Sequence, residues 1–87
     1  MQHTLLTAER QKTHGNFAEN ALISQNLKNV FHSLPGWQNL NNEQKEAVEM
    51  MCMKFSRIFS GKADERQHWE DIEGYAHLAT ESCDTID

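Results

Sequence analysis

Basic, acidic and aromatic side chains recur at helical spacing in the second half of this sequence. Lys54 and Arg57 are three residues apart, whereas His68, Asp71 and Tyr75 lie at i, i+3 and i+7. Lysine and arginine bind phosphate oxygens, a carboxylate binds a metal ion or a sugar hydroxyl, and a phenol ring offers a stacking surface. The pattern predicts a cleft in which these five residues bind a nucleotide or another phosphorylated ligand.

The same residues also have a purely structural interpretation. If the two helices that carry them pack antiparallel, a salt bridge of Asp71 with Lys54 or Arg57 would stabilise the helical hairpin. Both interpretations place Lys54 and Arg57 on one helix against His68, Asp71 and Tyr75 on the other. They differ in whether room remains for a ligand between the two helices.

A second polar cluster lies near the N-terminus. Arg10 and His14 precede Gly15, which permits a tight turn. Asn16 then opens a helix whose N-terminal amides can receive an anion, although simple capping is the alternative. Asn20 falls inside the apolar stripe of that helix, where it either anchors a loop or contacts a ligand. Arg10, His14 and Asn20 are therefore added to the predicted ligand-binding residues.

Acidic pairs offer a different chemistry. Two Glu-x-x-Glu pairs resemble the magnesium ligands of the all-α nucleoside triphosphate pyrophosphohydrolases, the MazG-like and dimeric dUTPase type. They are Glu46 with Glu49 and Glu70 with Glu73. The helical wheel opposes this alternative, because Glu49 lies almost opposite the apolar stripe and only a dimer interface would bring the carboxylates into a cleft. A solvated acidic face is the default interpretation, and whether the chain is an enzyme stays open.

The elements that would position these residues are helical, since β-branched residues are few and scattered. We predict a short helix over about 4–12, a second from Phe17 to about Leu34, and a third that ends at Gly61. Asn41 with Gln44 forms a capping box for the third helix, and Asp64 with Gln67 repeats the signal for a fourth. Apolar stripes follow each long helix: Ile23, Leu27, Val30, Phe31 and Leu34; Val48, Met51, Phe55, Ile58 and Phe59; Trp69, Ile72, Ala76 and Ala79. The predicted fold is all-α, a small bundle of three main amphipathic helices plus a short N-terminal helix, in a single domain over 1–87 with an ordered core of about 4–83.

Composition limits the function further. The chain has 87 residues and a formal net charge of -5, which argues against nonspecific binding of duplex DNA. Neither a basic and apolar leader nor an apolar run of membrane length is present, so a cytoplasmic protein is expected. Cys52 and Cys83 are isolated and no H-x-x-x-H pair occurs, so zinc is not expected and no cofactor other than the alternative magnesium is predicted. Three helices of this length leave apolar surface uncovered, which favours a homodimer over a monomer.

Three stretches together resemble a known pattern: Arg10-x-x-x-His14-Gly15-x-Phe17-x-x-Asn20, Met50-Met51-x-x-Lys54-x-x-Arg57 and Trp69-x-Asp71-Ile72-x-Gly74-Tyr75-Ala76. They resemble a family of short proteins from tailed phages and prophages, similar to the group called nucleotide modification associated domain 1. The resemblance implies an all-α domain of phage nucleotide or DNA-modification metabolism, acting in the host cytoplasm. Gly74 inside a helix costs about 1 kcal/mol against alanine, so we expect a close helix approach or a ligand there. A structural or host-protein-interaction module without a ligand is the remaining alternative.

Overall fold

Helices form the regular structure of residues 11–83, the part of the chain that this computed structural model describes. They are α1 (Phe17–Ser33), α2 (Asn42–Ser60) and α3 (Arg66–Glu81), with a short 3-10 helix, η1 (Pro35–Asn39), between α1 and α2. Residues 11–14 form a helical turn ahead of α1, here called the leading turn, and no strand occurs within 11–83. The predicted all-α fold with three main helices is confirmed. The start of the predicted first helix lies outside the described residues.

Side-chain caps fix the starts of α1 and α2, as the sequence predicts. The side chain of Asn16 accepts the Glu19 N–H at 2.8 Å. At α2 the Asn41 side chain accepts the Gln44 N–H at 2.7 Å, and the Gln44 side chain accepts the Asn41 N–H at 3.0 Å. Each contact satisfies an amide that lacks a partner inside its helix, so the capping signals locate these two boundaries.

The predicted cap of α3 is wrong. The helix begins after Glu65, and Glu65 makes no side-chain capping bond. The Glu65 N–H donates instead to the Lys62 carbonyl at 3.2 Å, which closes a turn around Asp64. Asp64 is therefore a turn residue, and the helix starts one residue later than its polar side chain suggests.

α2 lies at the centre of the fold and contacts both α1 and α3. Its pairing with α1 is antiparallel: the Ser60 hydroxyl donates to the Asn20 side chain at one end, and His32 Nε2–H donates to Glu49 at the other, at 2.7 Å. Within residues 11–83 the fully buried apolar residues belong to α2 and are Ala47, Cys52 and Ile58. None of the helices in the described range combines the length and the apolar character needed to cross a membrane.

α1 presents a different face to α2 from the one its apolar stripe suggests. Its fully buried residue is Ser24, whereas Val30, Phe31 and Leu34 remain exposed. On a helical wheel the apolar stripe is centred about 80° from Ser24, at roughly 100° per residue. The prediction that this stripe faces the core is therefore wrong in part: Ile23 and Leu27 are half-buried and the rest is open to solvent.

Two glycines let the leading turn close against the end of α2. Gly15 has a φ of 77°, and a Cβ on it would overlap Ser60. A Cβ on Gly61 would overlap the Thr13 carbonyl, which accepts the Lys62 N–H at 3.0 Å. Only glycine fits at either point without moving the backbone.

Gly74 is different, because a Cβ there would have no atom within 4 Å. The expected close approach of a helix at this position is wrong.

Candidate functional site

A cavity of about 420 Å³ opens between the leading turn, α1 and α2. The cavity is of the size of ordinary small-molecule sites, which run from roughly 300 to 1,000 Å³. Its described lining residues are Gln11, His14, Gly15, Phe17, Asn20, Ala21, Ser24, Gln25, Lys28, Met53, Ser56 and Arg57. We call this the α1–α2 pocket.

The α1 wall of the pocket is one row of side chains. Phe17, Ala21, Ser24 and Lys28 follow one another at i, i+4, i+7 and i+11, so they share a face of the helix. The α2 wall supplies Met53, Ser56 and Arg57. The small Ala21 and Ser24 side chains leave the space between the two helices open.

The charge of the pocket differs from that of the chain. Lys28 and Arg57 are its cations, His14 adds an imidazole, and no aspartate or glutamate occurs among its described lining residues. The whole chain carries a formal charge of -5. Two cations gathered in one concavity, with no carboxylate among the described lining residues, favour an anionic ligand.

Ser24 is the most informative residue in the pocket. Its exposed fraction is 5%, and its hydroxyl is the one buried side-chain oxygen or nitrogen in the described range without a hydrogen-bond partner. Such a group costs about 1–3 kcal/mol when it stays unsatisfied, and native structures keep few of them. Ser24 is one of the lining residues of the pocket, where a ligand can supply the missing partner.

Hydrogen bonds between backbone and side chains hold the N-terminal end of the pocket in place. The Asn20 side chain donates to the His14 carbonyl and accepts from the Ser60 hydroxyl at 2.6 Å. Both ends of the Asn20 amide are thus engaged, so this residue anchors the leading turn while it lines the pocket. These two hydrogen bonds support the interpretation of Asn20 as a residue that anchors a loop.

His68, on α3, contacts the leading turn. It is 2% exposed, and its Nε2–H donates to the Thr13 carbonyl at 2.8 Å. Its ring centroid lies 5.2 Å from that of His14, which lines the pocket. His68 therefore positions the leading turn from α3 and is not among the described residues that line the pocket.

Lys54 and Asp71 form the interhelical salt bridge that was the structural alternative to the cleft. Their charged atoms are 3.1 Å apart, and the side chains are 11% and 34% exposed. Neither lines the α1–α2 pocket, and neither does Tyr75, which lies half-buried on α3.

The structure thus divides the predicted site residues. His14, Asn20 and Arg57 share the pocket, whereas Lys54, His68, Asp71 and Tyr75 lie elsewhere. Arg10 lies outside the described residues.

The four glutamates predicted as alternative magnesium ligands have different surroundings in the structure. Glu49 accepts from His32 at 2.7 Å, and Glu70 pairs with Arg66 at 2.8 Å, while Glu46 and Glu73 are exposed. Within residues 11–83 no three His, Cys, Asp or Glu side chains are close enough together to hold a metal ion. The described fold of one chain therefore does not assemble the four glutamates into one cation site.

Sequence reasoning missed Phe17, Ser24 and Lys28. A signal was present: they share one face of α1, and that face continues the stripe that contains Asn20. It was masked by the more apolar face next to it, which a simple hydrophobicity pattern assigns to the core.

Comparison with known proteins identifies a family. The family described as "Domain of unknown function (DUF6378)" matches residues 2–83. No curated protein and no solved structure matches the chain.

Proposed function

Because the match covers nearly all of the sequence, this chain belongs to the DUF6378 family, and we propose that its α1–α2 pocket binds a nucleotide or another phosphorylated small molecule. The observation that carries the proposal is the buried, unpartnered hydroxyl of Ser24 at a pocket whose described charges are cations. A phosphate supplies acceptor oxygens for such a hydroxyl and negative charge for the cations.

Each polar residue of the pocket has a role in this proposal. The Arg57 guanidinium holds two phosphate oxygens at once, Lys28 adds a mobile point charge, and Ser24 donates one hydrogen bond. The resemblance of three sequence stretches to phage proteins of nucleotide or DNA-modification metabolism supports the same ligand class. A phage or prophage origin, and action in the host cytoplasm, remain predictions of that resemblance.

A thermal-shift titration of the full chain tests the proposal. The panel contains nucleoside mono-, di- and triphosphates and inorganic phosphate, each with and without magnesium. We expect a phosphorylated compound to raise the melting temperature, because a ligand that binds only the folded state stabilises it. Arg57→Gln and Ser24→Ala should each reduce that shift.

Lys62→Gln is the matched control for loss of a positive charge, because the Lys62 side chain is 53% exposed and is not part of the pocket lining. It should leave the ligand-induced shift unchanged. If no phosphorylated compound shifts the melting temperature, or if all three variants reduce the shift equally, the proposal is wrong.

The enzyme alternative is tested with the same compounds by measuring the release of pyrophosphate. A magnesium-dependent pyrophosphohydrolase would release pyrophosphate from a nucleoside triphosphate, and Glu49→Gln or Glu70→Gln would abolish the release. Binding without magnesium and without pyrophosphate release supports the binding domain.

We also propose that the chain forms a homodimer through the open apolar face of α1. Val30, Phe31 and Leu34 are exposed, and Phe31 and Leu34 also line an apolar groove of about 220 Å³ with Trp37 and Leu40. A two-fold contact would cover this surface on both copies at once, which suits a domain with few buried apolar side chains of its own.

Light scattering distinguishes the two oligomeric states. We expect a dimer for the natural sequence and a monomer for Leu34→Ser, while Leu78→Ser, at a comparably exposed leucine on α3, stays dimeric. A monomer for the natural sequence contradicts the dimer. Together with an absence of ligand response, it would favour a structural or host-interaction module.

A further inference from the structure

An exposed aromatic ring stands at one end of the α1–α2 pocket. Phe17 is 85% exposed, yet it is one of the pocket's lining residues. Exposed phenylalanine is unfavourable in water, and a ring at the mouth of a concavity offers a flat surface for stacking. The position of this ring relative to the cationic residues indicates which ligand fits.

The helix geometry sets that position. Phe17 and Ser24 share one face of α1 and are seven residues apart, about 10 Å along the axis at roughly 1.5 Å per residue. Between them lies Ala21, whose small side chain leaves room above the helix.

The antiparallel register of α2 places Arg57 beside Ser24. Asn20 contacts Ser60 near the start of α1, and His32 contacts Glu49 near its end, so Ser24 lies close to the level of Ser56. Lys28 lies one turn farther along α1 than Ser24. The order along the pocket is thus an aromatic ring, a gap over a small residue, and then a hydroxyl with two cations.

We infer that the ligand of this pocket is a mononucleotide, with its base stacked on Phe17 and its phosphate at Ser24 and Arg57. The inference rests on the proposed function, and it adds that the base contributes to affinity. A sugar fills the gap over Ala21. Because every base has a π face, stacking on phenylalanine discriminates weakly among bases, and the pocket accepts purine and pyrimidine mononucleotides alike.

The affinity of the full chain for matched compounds tests this arrangement. Isothermal titration calorimetry compares adenosine, guanosine and thymidine monophosphates with ribose 5-phosphate, which has the sugar and the phosphate but no base. Base stacking on an aromatic side chain corresponds to about a 5- to 150-fold change in the dissociation constant. We expect ribose 5-phosphate to bind more weakly than the mononucleotides by a factor in that range.

Variants of two exposed phenylalanines locate the effect. Phe17→Leu should weaken mononucleotide binding by a similar factor and leave ribose 5-phosphate binding unchanged, while Phe17→Tyr should restore the natural affinity. Phe59→Leu is the matched control, because Phe59 is 76% exposed and lies outside the pocket lining. Since both side chains are exposed, neither substitution should change the melting temperature of the free protein by more than a few degrees.

The outcomes separate this inference from the proposed function. Equal affinity for ribose 5-phosphate and the mononucleotides, or an equal effect of Phe17→Leu and Phe59→Leu, overturns the stacking arrangement and leaves phosphate binding in place. If neither class of compound binds, both the arrangement and the proposed function are wrong.

Discussion

Replacing Ser24 by alanine should stabilise the free domain and weaken its ligand binding at the same time. The hydroxyl is buried without a partner in the described structure, and its removal should recover about 1–3 kcal/mol. Alanine also has a higher helix propensity than serine, by about 0.5 kcal/mol. We therefore expect Ser24→Ala to raise the free energy of unfolding by about 2 kcal/mol, and the melting temperature by roughly 8–16 °C for a domain of this size.

Ser56→Ala is the matched comparison, because Ser56 is also buried in a helix and lines the same pocket. Its hydroxyl donates to the Met53 carbonyl at 2.6 Å, so the substitution removes a hydrogen bond worth about 1 kcal/mol. The same gain in helix propensity offsets part of that loss. We expect the free energy of unfolding of Ser56→Ala to lie about 2.5 kcal/mol below that of Ser24→Ala.

Urea denaturation of the two variants and the natural sequence measures this difference. A thermal-shift titration of the same three proteins with the phosphorylated compounds then measures their response to ligand. Ser24→Ala should respond to the ligand less than the natural sequence does, despite its higher starting stability. Equal free energies of unfolding for the two variants would contradict this prediction, since burying the unpaired Ser24 hydroxyl would then not destabilise the free domain.

Three further predictions concern other parts of the fold. Asp71→Asn should lower the free energy of unfolding by about 1–2 kcal/mol in urea denaturation, because it leaves the mostly buried Lys54 without its partner, although the partial exposure of Asp71 limits the loss. It should also leave the ligand-induced thermal shift intact. Loss of that shift in a folded variant would indicate that Asp71 takes part in ligand binding. Gly74→Ala should raise the free energy of unfolding by about 1 kcal/mol, because the added Cβ meets no atom, and a decrease would reveal a contact with a second molecule. A thiol reagent at pH 8 should modify the exposed Cys83 and spare Cys52, because burial raises the pKa of the Cys52 thiol and so lowers its reactive thiolate fraction; equal labelling in native protein would contradict this.

The sequence predicts the helices well because local chemistry sets their ends. Asn16 and the pair Asn41 and Gln44 cap helices in the structure as their side chains suggest. Asp64 fails because a backbone turn to Lys62 competes with capping at the same place. Propensity alone does not determine which of two local hydrogen-bonding patterns forms.

The candidate site is less predictable because it depends on how α1 is rotated about its axis. The apolar stripe predicts one rotation, and the contacts of Asn20 and His32 with α2 hold another, so that Ser24 faces inward and Val30 outward. Arg57 was identified from its spacing to Lys54, yet the two side chains point to different neighbours: Lys54 to Asp71 on α3 and Arg57 to the pocket beside α1. Spacing along one helix does not reveal which neighbouring helix each side chain meets.

The Thr13 carbonyl accepts hydrogen bonds from the Lys62 amide and from His68, residues about fifty positions away along the chain. Contacts of such long sequence separation form late, because a long stretch of chain must be ordered before they repay the entropy of closing the loop. We therefore expect the leading turn to dock after α2 and α3 have paired. Until that step is complete the α1–α2 pocket is not assembled, so if the proposed ligand binds there, early folding intermediates are expected to gain no protection from it.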